Sequence, residues 1–541
     1  MHDADLVFTD GPVHLGDAAR SRAGAVAVRE GRIVAIGLDR VAELVGSRTE
    51  VIDLTGRLLL PGFQDAHVHA VSAGIELGQC DLTEATSARD CLRRIGEYAK
   101  ANPDREWIVG GGWAMGMFDG GCPTREQLDA IVPDRPVCLV NRDHHGSWVN
   151  SVALSRAGID RHTPDPVDGR IERDADGDPA GMLQEGAMSL VGAVLPELTR
   201  ADEVAGLLRA QRMLHSFGIT AWQDALIGRH NGMTDPKAAY VEVASSGRLT
   251  ARVRGALWWE RDRGAEQIDD LLQRRWQLEN VGVRAGTVKI MQDGIAETRT
   301  AAMLAPYLDR CGESGFSFVD PIELRAHVSL LDSMGFQVHF HALGDRAVRE
   351  ALDAVQEARK ANGWTDNRHH LAHLQIVHPD DIPRFRQLGA SANIQPLWAA
   401  HEPELDELTH PSLGPERVAR QYPFGALLRA GATIAAGSDW PVSTPDPLQG
   451  IHVAVNRVSP GSDEPVFLPE QRIDLGSAIA AYTAGSAYVN QLDDTGTIVV
   501  GNRADLVVLD RDPFDGPSEA IAETRVEQTF VGGISVYTKG K

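Results

Sequence analysis

Residues 58–70 read LLLPGFQDAHVHA, an apolar run, a Pro-Gly turn signal and then two histidines one residue apart. An apolar run this short, bounded by a turn signal, reads as a buried strand. Alternate residues of a strand point to the same side, so His67 and His69 at its end can reach one ion. The pair alone is a weak sign, because two such histidines also serve as ordinary polar residues at a strand end.

Outward from this stretch the same unit recurs. Short apolar runs stand at 58–63, 219–224, 252–258, 287–291, 337–341, 369–373, 391–395 and 433–437. Between several of them lie amphipathic helical stretches, such as 321–334 and 346–360, with apolar residues recurring at three and four. Eight strand-helix units predict an α/β fold, a (β/α)8 TIM barrel over 61–489. Residues 70–220 are far too long for a βα loop, so 70–200 is expected to contain an inserted α/β subdomain, with strands at 107–110 and 137–141. Its Gly- and Trp-rich stretch GGGWAMGMFDGG, 110–121, reads equally as a loop over the substrate or as a plain surface loop.

The two ends resemble each other. Short β-type runs separated by Gly and acidic turns occupy 6–8, 25–28, 33–36 and 51–54, and again 497–500, 506–509 and 529–537. Chain ends often lie close together, so residues 1–60 and 490–541 are expected to form one small β-sandwich beside the barrel.

Placed on the barrel, the polar residues at the strand ends converge on the C-terminal face, where active sites of this fold sit. Lys289 lies in VKIMQDG, His341 in HFHALGD, His373 in HLAHLQ and Asp439 in AAGSDWP. With His67 and His69 they make five metal-capable groups and one lysine, an arrangement pointing to a metal site. His339 alternates with His341 and shares its inward side, as a ligand or substrate contact; His369 and His370 read as ordinary polar or core residues.

Composition excludes other classes. The 541 residues carry 53 Lys and Arg against 76 Asp and Glu, a net charge of −23, which repels phosphate backbones and anionic lipid. A small-molecule substrate is expected, with neither nucleic acid nor membrane as partner. Five scattered cysteines without a CxxC pair suggest neither a disulfide scaffold nor a zinc ribbon, and no export signal or long apolar span is evident, so a cytoplasmic location is expected.

These motifs together resemble the metal-dependent amidohydrolase superfamily. The stretches TGRLLLPGFQDAHVHA, RDHHGSWVNSVAL, DGDPAGMLQEGA, GITAWQDA, KIMQDGIAETRTA, HFHALGDRAV, IQPLW, GSDWPVSTPDPL and GNRADLVVLD are similar to its amidohydrolase 3 subgroup, which includes N-substituted formamide deformylases. The resemblance implies His67, His69, Lys289, His341, His373 and Asp439 as ligands of a divalent metal, zinc first. It implies two ions bridged by a carboxylated Lys289, or one ion with Lys289 unmodified. A lysine paired with Asp293 is the competing reading. One departure stands out: an acidic residue usual before the sixth-strand histidine is replaced by Ala372.

The implied chemistry is hydrolysis of a C–N amide bond of a small molecule, an N-substituted formamide or N-acyl amine. Asp439 would be the catalytic acid and base, taking a proton from water and passing it to the leaving nitrogen. By motif, His145, Gln395, Trp148, Trp398, Asp293 and Arg299 are candidate substrate contacts, with His339 and Trp113 beside them. Asn150 either joins them or caps the helix that follows. Trp107, Trp113, Trp222, Trp258, Trp259, Trp398 and Trp440 would serve an apolar or aromatic substrate pocket, or simply core packing. A cyclic amidase, deaminase or esterase, and more remotely a non-catalytic ligand-binding barrel, are the alternatives. The family implies a homodimer.

Overall fold

The computed structural model describes residues 3–540 except 18, 231–233 and 311, so Cys311 lies outside the described residues. Eight parallel strands follow one another in chain order around a nearly closed TIM barrel. They are Phe63–Val68, Ile219–Ile227, Arg252–Trp258, Arg284–Met291, Gln337–Ala342, His370–His373, Ser391–Ile394 and Thr433–Ala436. The helices Pro321–Ser333 and Asp345–Asn362 pack against each other outside it. Pro321 opens the first, where its missing N–H costs nothing, and Asp320 caps it by accepting from Ile322 and Glu323.

The first barrel strand begins later than the sequence suggests. Leu58–Pro61 is a separate strand of the sandwich, antiparallel to Leu506–Leu509 and bridged to Val13, and Gly62 alone separates it from the first barrel strand. A fully apolar run looks the same on either side of that boundary, because both strands are buried. The sandwich has a four-stranded sheet built wholly from the N-terminal segment and a six-stranded sheet that mixes both ends. Residues 497–500 form no strand, while 529–537 is a hairpin of Val526–Val531 and Ile534–Thr538.

Between the first and second barrel strands an insert carries its own six-stranded sheet, from Cys80–Asp81 to Pro179–Glu185. Asn150 caps its helix Ser151–Ala157 through Ala153 N–H. The stretch 110–121 is largely packed, with Asp119 and Gly120 exposed at its tip. It finishes the strand Ile108–Trp113 and then turns twice, burying Met115 and Phe118 in the insert core.

Cys80, Cys91, Cys122 and Cys138 are all free thiols. Among the described residues no helix is long and apolar enough to cross a membrane.

Candidate metal centre

The barrel seam positions the centre. Just past the eighth strand, Asp439 N–H donates to His67 O at 2.8 Å and His69 N–H donates to Trp440 O at 2.9 Å, so the residues that close the barrel also carry functional side chains. Asp65 ties the same two segments, accepting from His67 N–H at 2.9 Å and from the Ser438 hydroxyl at 2.5 Å. Gly437 sits between them: a Cβ there would lie 2.6 Å from His67 N and 3.0 Å from Asp65 Oδ1. A Gly437→Ala chain should therefore lose about 1–3 kcal/mol to overpacking. Metal content and melting should both drop, and unchanged metal loading would show that the seam does not set the site.

The six strand-end residues singled out by sequence, His67, His69, Lys289, His341, His373 and Asp439, all line one cavity of about 320 Å3. Asp439 Oδ1 lies 3.1 Å from Nε2 of both His67 and His69, and Oδ2 lies 3.9 Å from His373 Nδ1. His67, His373 and Asp439 each offer a ligand atom, all within 4.8 Å of one another. His373 and Asp439 both hold positive φ, 79° and 55°, a strained backbone of the kind that clusters at functional sites.

The surrounding hydrogen bonds fix which nitrogen carries the proton on His67 and on His341. His339 Nδ1–H donates to Gln223 Oε1 at 2.7 Å, so its Nε2 accepts from His67 Nδ1–H at 3.0 Å and His67 Nε2 is left as a lone pair. His341 Nδ1–H donates to Asp293 Oδ1 at 3.2 Å, freeing its Nε2; Gly344, Leu343 and Ala302 N–H anchor that carboxylate. Burial and the nearby Lys289 hold the His67 imidazole down at about 3, and burial likewise lowers His341 and His373, so all three are neutral.

The Nε2 lone pair of neutral His67 thus faces the Asp439 carboxylate, and neither ring nitrogen of His373 nor Asp439 Oδ1 has a hydrogen-bond partner. Each such buried orphan costs about 1–3 kcal/mol, which a cation among them would offset. The donor set of nitrogen and carboxylate oxygen suits a divalent ion of the zinc type.

Other sequence candidates fall outside the cavity lining. Gln395 Oε1 accepts from His373 N–H at 2.7 Å and so holds a strand end. Asp293 and His339 orient His341 and His67, as just described. Trp113 and Trp148 are fully buried in the insert core, their indole N–H groups donating to Leu139 O and Thr124 O. Arg299 is spent on Asp309, with both Nε and Nη2 within 2.9 Å of one carboxylate oxygen. Trp258, Trp398 and His145 do line the cavity. Trp398 stacks on the His373 ring at 5.2 Å and 4° between planes, and this contact orients the imidazole where Ala372 offers no acid. Both His369 and His370 are buried: His369 bonds outward to Asp332 on the helix Pro321–Ser333 and accepts from Val338 N–H, while His370 bonds to Gln223 in the barrel interior.

Sequence reading missed Glu185. It is wholly buried, takes His145 Nδ1–H at 2.9 Å, and also accepts from Thr300 Oγ1. Burial opposes the His145 charge, but Glu185 and nearby carboxylates raise its pKa above the ordinary value.

The amidohydrolase family model matches residues 50–537. The chain belongs to the amidohydrolase family. Protein LONG AFTER FAR-RED 3 of Arabidopsis thaliana is 31% identical over 99% of this chain and 92% of its own length. The N-substituted formamide deformylase of Arthrobacter pascens is 27% identical over 99% of this chain and 98% of its own. An uncharacterized metal-dependent hydrolase from Pyrococcus furiosus superposes with a TM-score of 0.69 at 26% identity, covering 94% of this chain and 99% of that one. This family member is therefore a hydrolase on a TIM-barrel scaffold with a candidate metal site.

Proposed function

We propose that this amidohydrolase cleaves the C–N amide bond of a small molecule, with N-substituted formamides and N-acyl amines as the first substrates to try. The observation that carries the proposal is Asp439, whose Oδ1 stands 3.1 Å from the imidazole Nε2 of both His67 and His69 in the cavity. The likeness to a formamide deformylase supports the amide class.

His67, His69, His341, His373 and Asp439 would hold the divalent metal, with zinc the first choice; a carboxylated Lys289 would allow a second ion. When bound, the metal lowers the pKa of water towards neutrality and polarises the carbonyl. Asp439 takes the proton of the attacking water and passes it to the leaving nitrogen, acting first as base and then as acid. His145, held by Glu185 and lining the same cavity, donates towards the oxygen that becomes negative as the carbonyl turns tetrahedral. Leu226, Trp258 and Met291 pack together as an apolar part of the cavity wall.

Incubating the zinc-loaded chain with a panel of N-benzyl and N-alkyl formamides and acetamides tests the proposal. Equimolar primary amine and carboxylic acid are expected. Ammonia release from an aminated heterocycle, with no amine formed from the amides, would replace this reading with deamination.

A further inference from the structure

Away from the histidines the cavity wall changes character. Asp143 from the insert, Glu297 from the loop after the fourth strand, and Glu402 and Glu404 from the loop after the seventh all line it, together with Arg142. Arg142 pairs with Glu402 at 3.0 Å and with Glu404. The nearby imidazoles do not balance the remaining charge, because His145 is matched by Glu185 and His144 by Glu76.

Two acceptors on this wall have unused capacity. Gln375 is 1% exposed and lines the cavity; its Nε2 donates to Glu297 Oε1 at 3.2 Å, which leaves its Oε1 facing no donor. Turning the amide round would set two oxygens against each other, so the free atom is the acceptor. Asp143 has no hydrogen bond or ion pair among the described residues, although it neighbours Arg142, Glu297 and Glu402. Burial pushes the Asp143 carboxyl up to about 6 and that of Glu404 up to about 8, so the wall tends to hold protons where a cation would otherwise stand.

We propose that this wall recognises a cationic nitrogen group, an ammonium or amidinium carried by the substrate at the end remote from the scissile amide. Unfilled acceptors and excess carboxylates call for a ligand that brings several N–H donors and positive charge. A small metal ion fits poorly. Among the described residues the one group of three convergent ligand atoms is His67, His373 and Asp439, so the wall carboxylates are spread as an extended organic cation requires. Leu343, Trp398 and Tyr422 line the same cavity and supply apolar surface for the body of such a ligand. The substrate is thus an amide with an apolar body and a cationic tail, an assignment of substrate class that rests on the hydrolase reading above.

Calorimetric titration of the zinc-loaded full chain with benzamidinium and with its neutral isostere benzamide tests the wall without requiring turnover. Benzamidinium should bind about tenfold or more tightly than benzamide, the scale of one or two charge-assisted hydrogen bonds. In the near-isosteric double variant Asp143→Asn with Glu297→Gln the preference should shrink to about twofold, and Asp143→Glu, which keeps the charge, should retain most of it. Equal binding of the two probes, or a preference that survives in the double variant, would overturn the proposal. If the double variant does not fold, Asp143→Asn alone against Asp143→Glu decides it: equal preference in the two refutes the wall. Amide turnover and metal content are separate readouts, so a failed hydrolase reading would show as metal-loaded protein inert on amides even while the cation preference stands.

Discussion

An Asp439→Asn chain should lose about 10³-fold in kcat on whichever amide proves to be a substrate, within the 10²–10⁴ range of general acid–base groups. The asparagine keeps the shape and one neutral oxygen donor but cannot accept the proton of the attacking water. Metal should be retained in part, because His67, His69 and His373 remain. A second readout separates chemistry from folding. In metal-free protein the wild-type carboxylate faces the lone-pair nitrogen of His67, 3.1 Å from Oδ1. An asparagine N–H can donate to it, so the metal-free variant should melt at a temperature equal to or above that of metal-free wild type. Wild-type kcat in the variant would remove Asp439 from its role, whereas a metal-free variant that melts well below wild type would attribute the loss to misfolding.

The barrel was legible because its strands repeat an apolar run that ends in a polar residue, and because the helices between them keep a period near four. Where the reading slipped, at Leu58–Pro61, two consecutive buried strands belong to different layers and apolarity cannot tell them apart. The convergence of His67, His341, His373 and Asp439 was visible for a related reason: strand-end position alone places them on one face. Residues acting through a neighbour were harder to interpret. His339, Gln395 and Asp293 stand in the same motifs as the cavity residues, and only the hydrogen bonds show that they aim or anchor those residues. Trp148 is a candidate substrate contact by motif and Trp113 by ring size, yet a large ring suits a core equally well; they pack edge to face at 5.8 Å inside the insert. The carboxylate wall was illegible, because it joins three loops with no shared pattern in the chain.

Replacing Lys289 by Ala should change the metal count itself. The side chain is 3% exposed and lines the cavity beside the histidines, yet it makes no hydrogen bond or ion pair among the described residues, with Asp293 or any other acid. An unpaired buried ammonium costs several kcal/mol and cannot ligate a cation. Burial lowers Lys289 to about 7, although Asp439 opposes the shift, so a large share of it is free amine at neutral pH. A free amine adds to CO2, losing one proton and gaining two carboxylate oxygens, enough to bridge two ions. Wild type purified without chelator should then hold two metal atoms per chain, and gently ionised protein should show the added mass of one CO2. Lys289→Ala should hold one or none, with turnover falling by more than the ~10–100-fold typical of outer-shell partners. A short carboxylic acid such as acetate, placed in the space the substitution opens, should restore part of both. One atom per chain in wild type, without the added mass and without rescue, would leave Lys289 as a neutral amine beside a single ion, and Asp439 with the histidines would then carry the site alone.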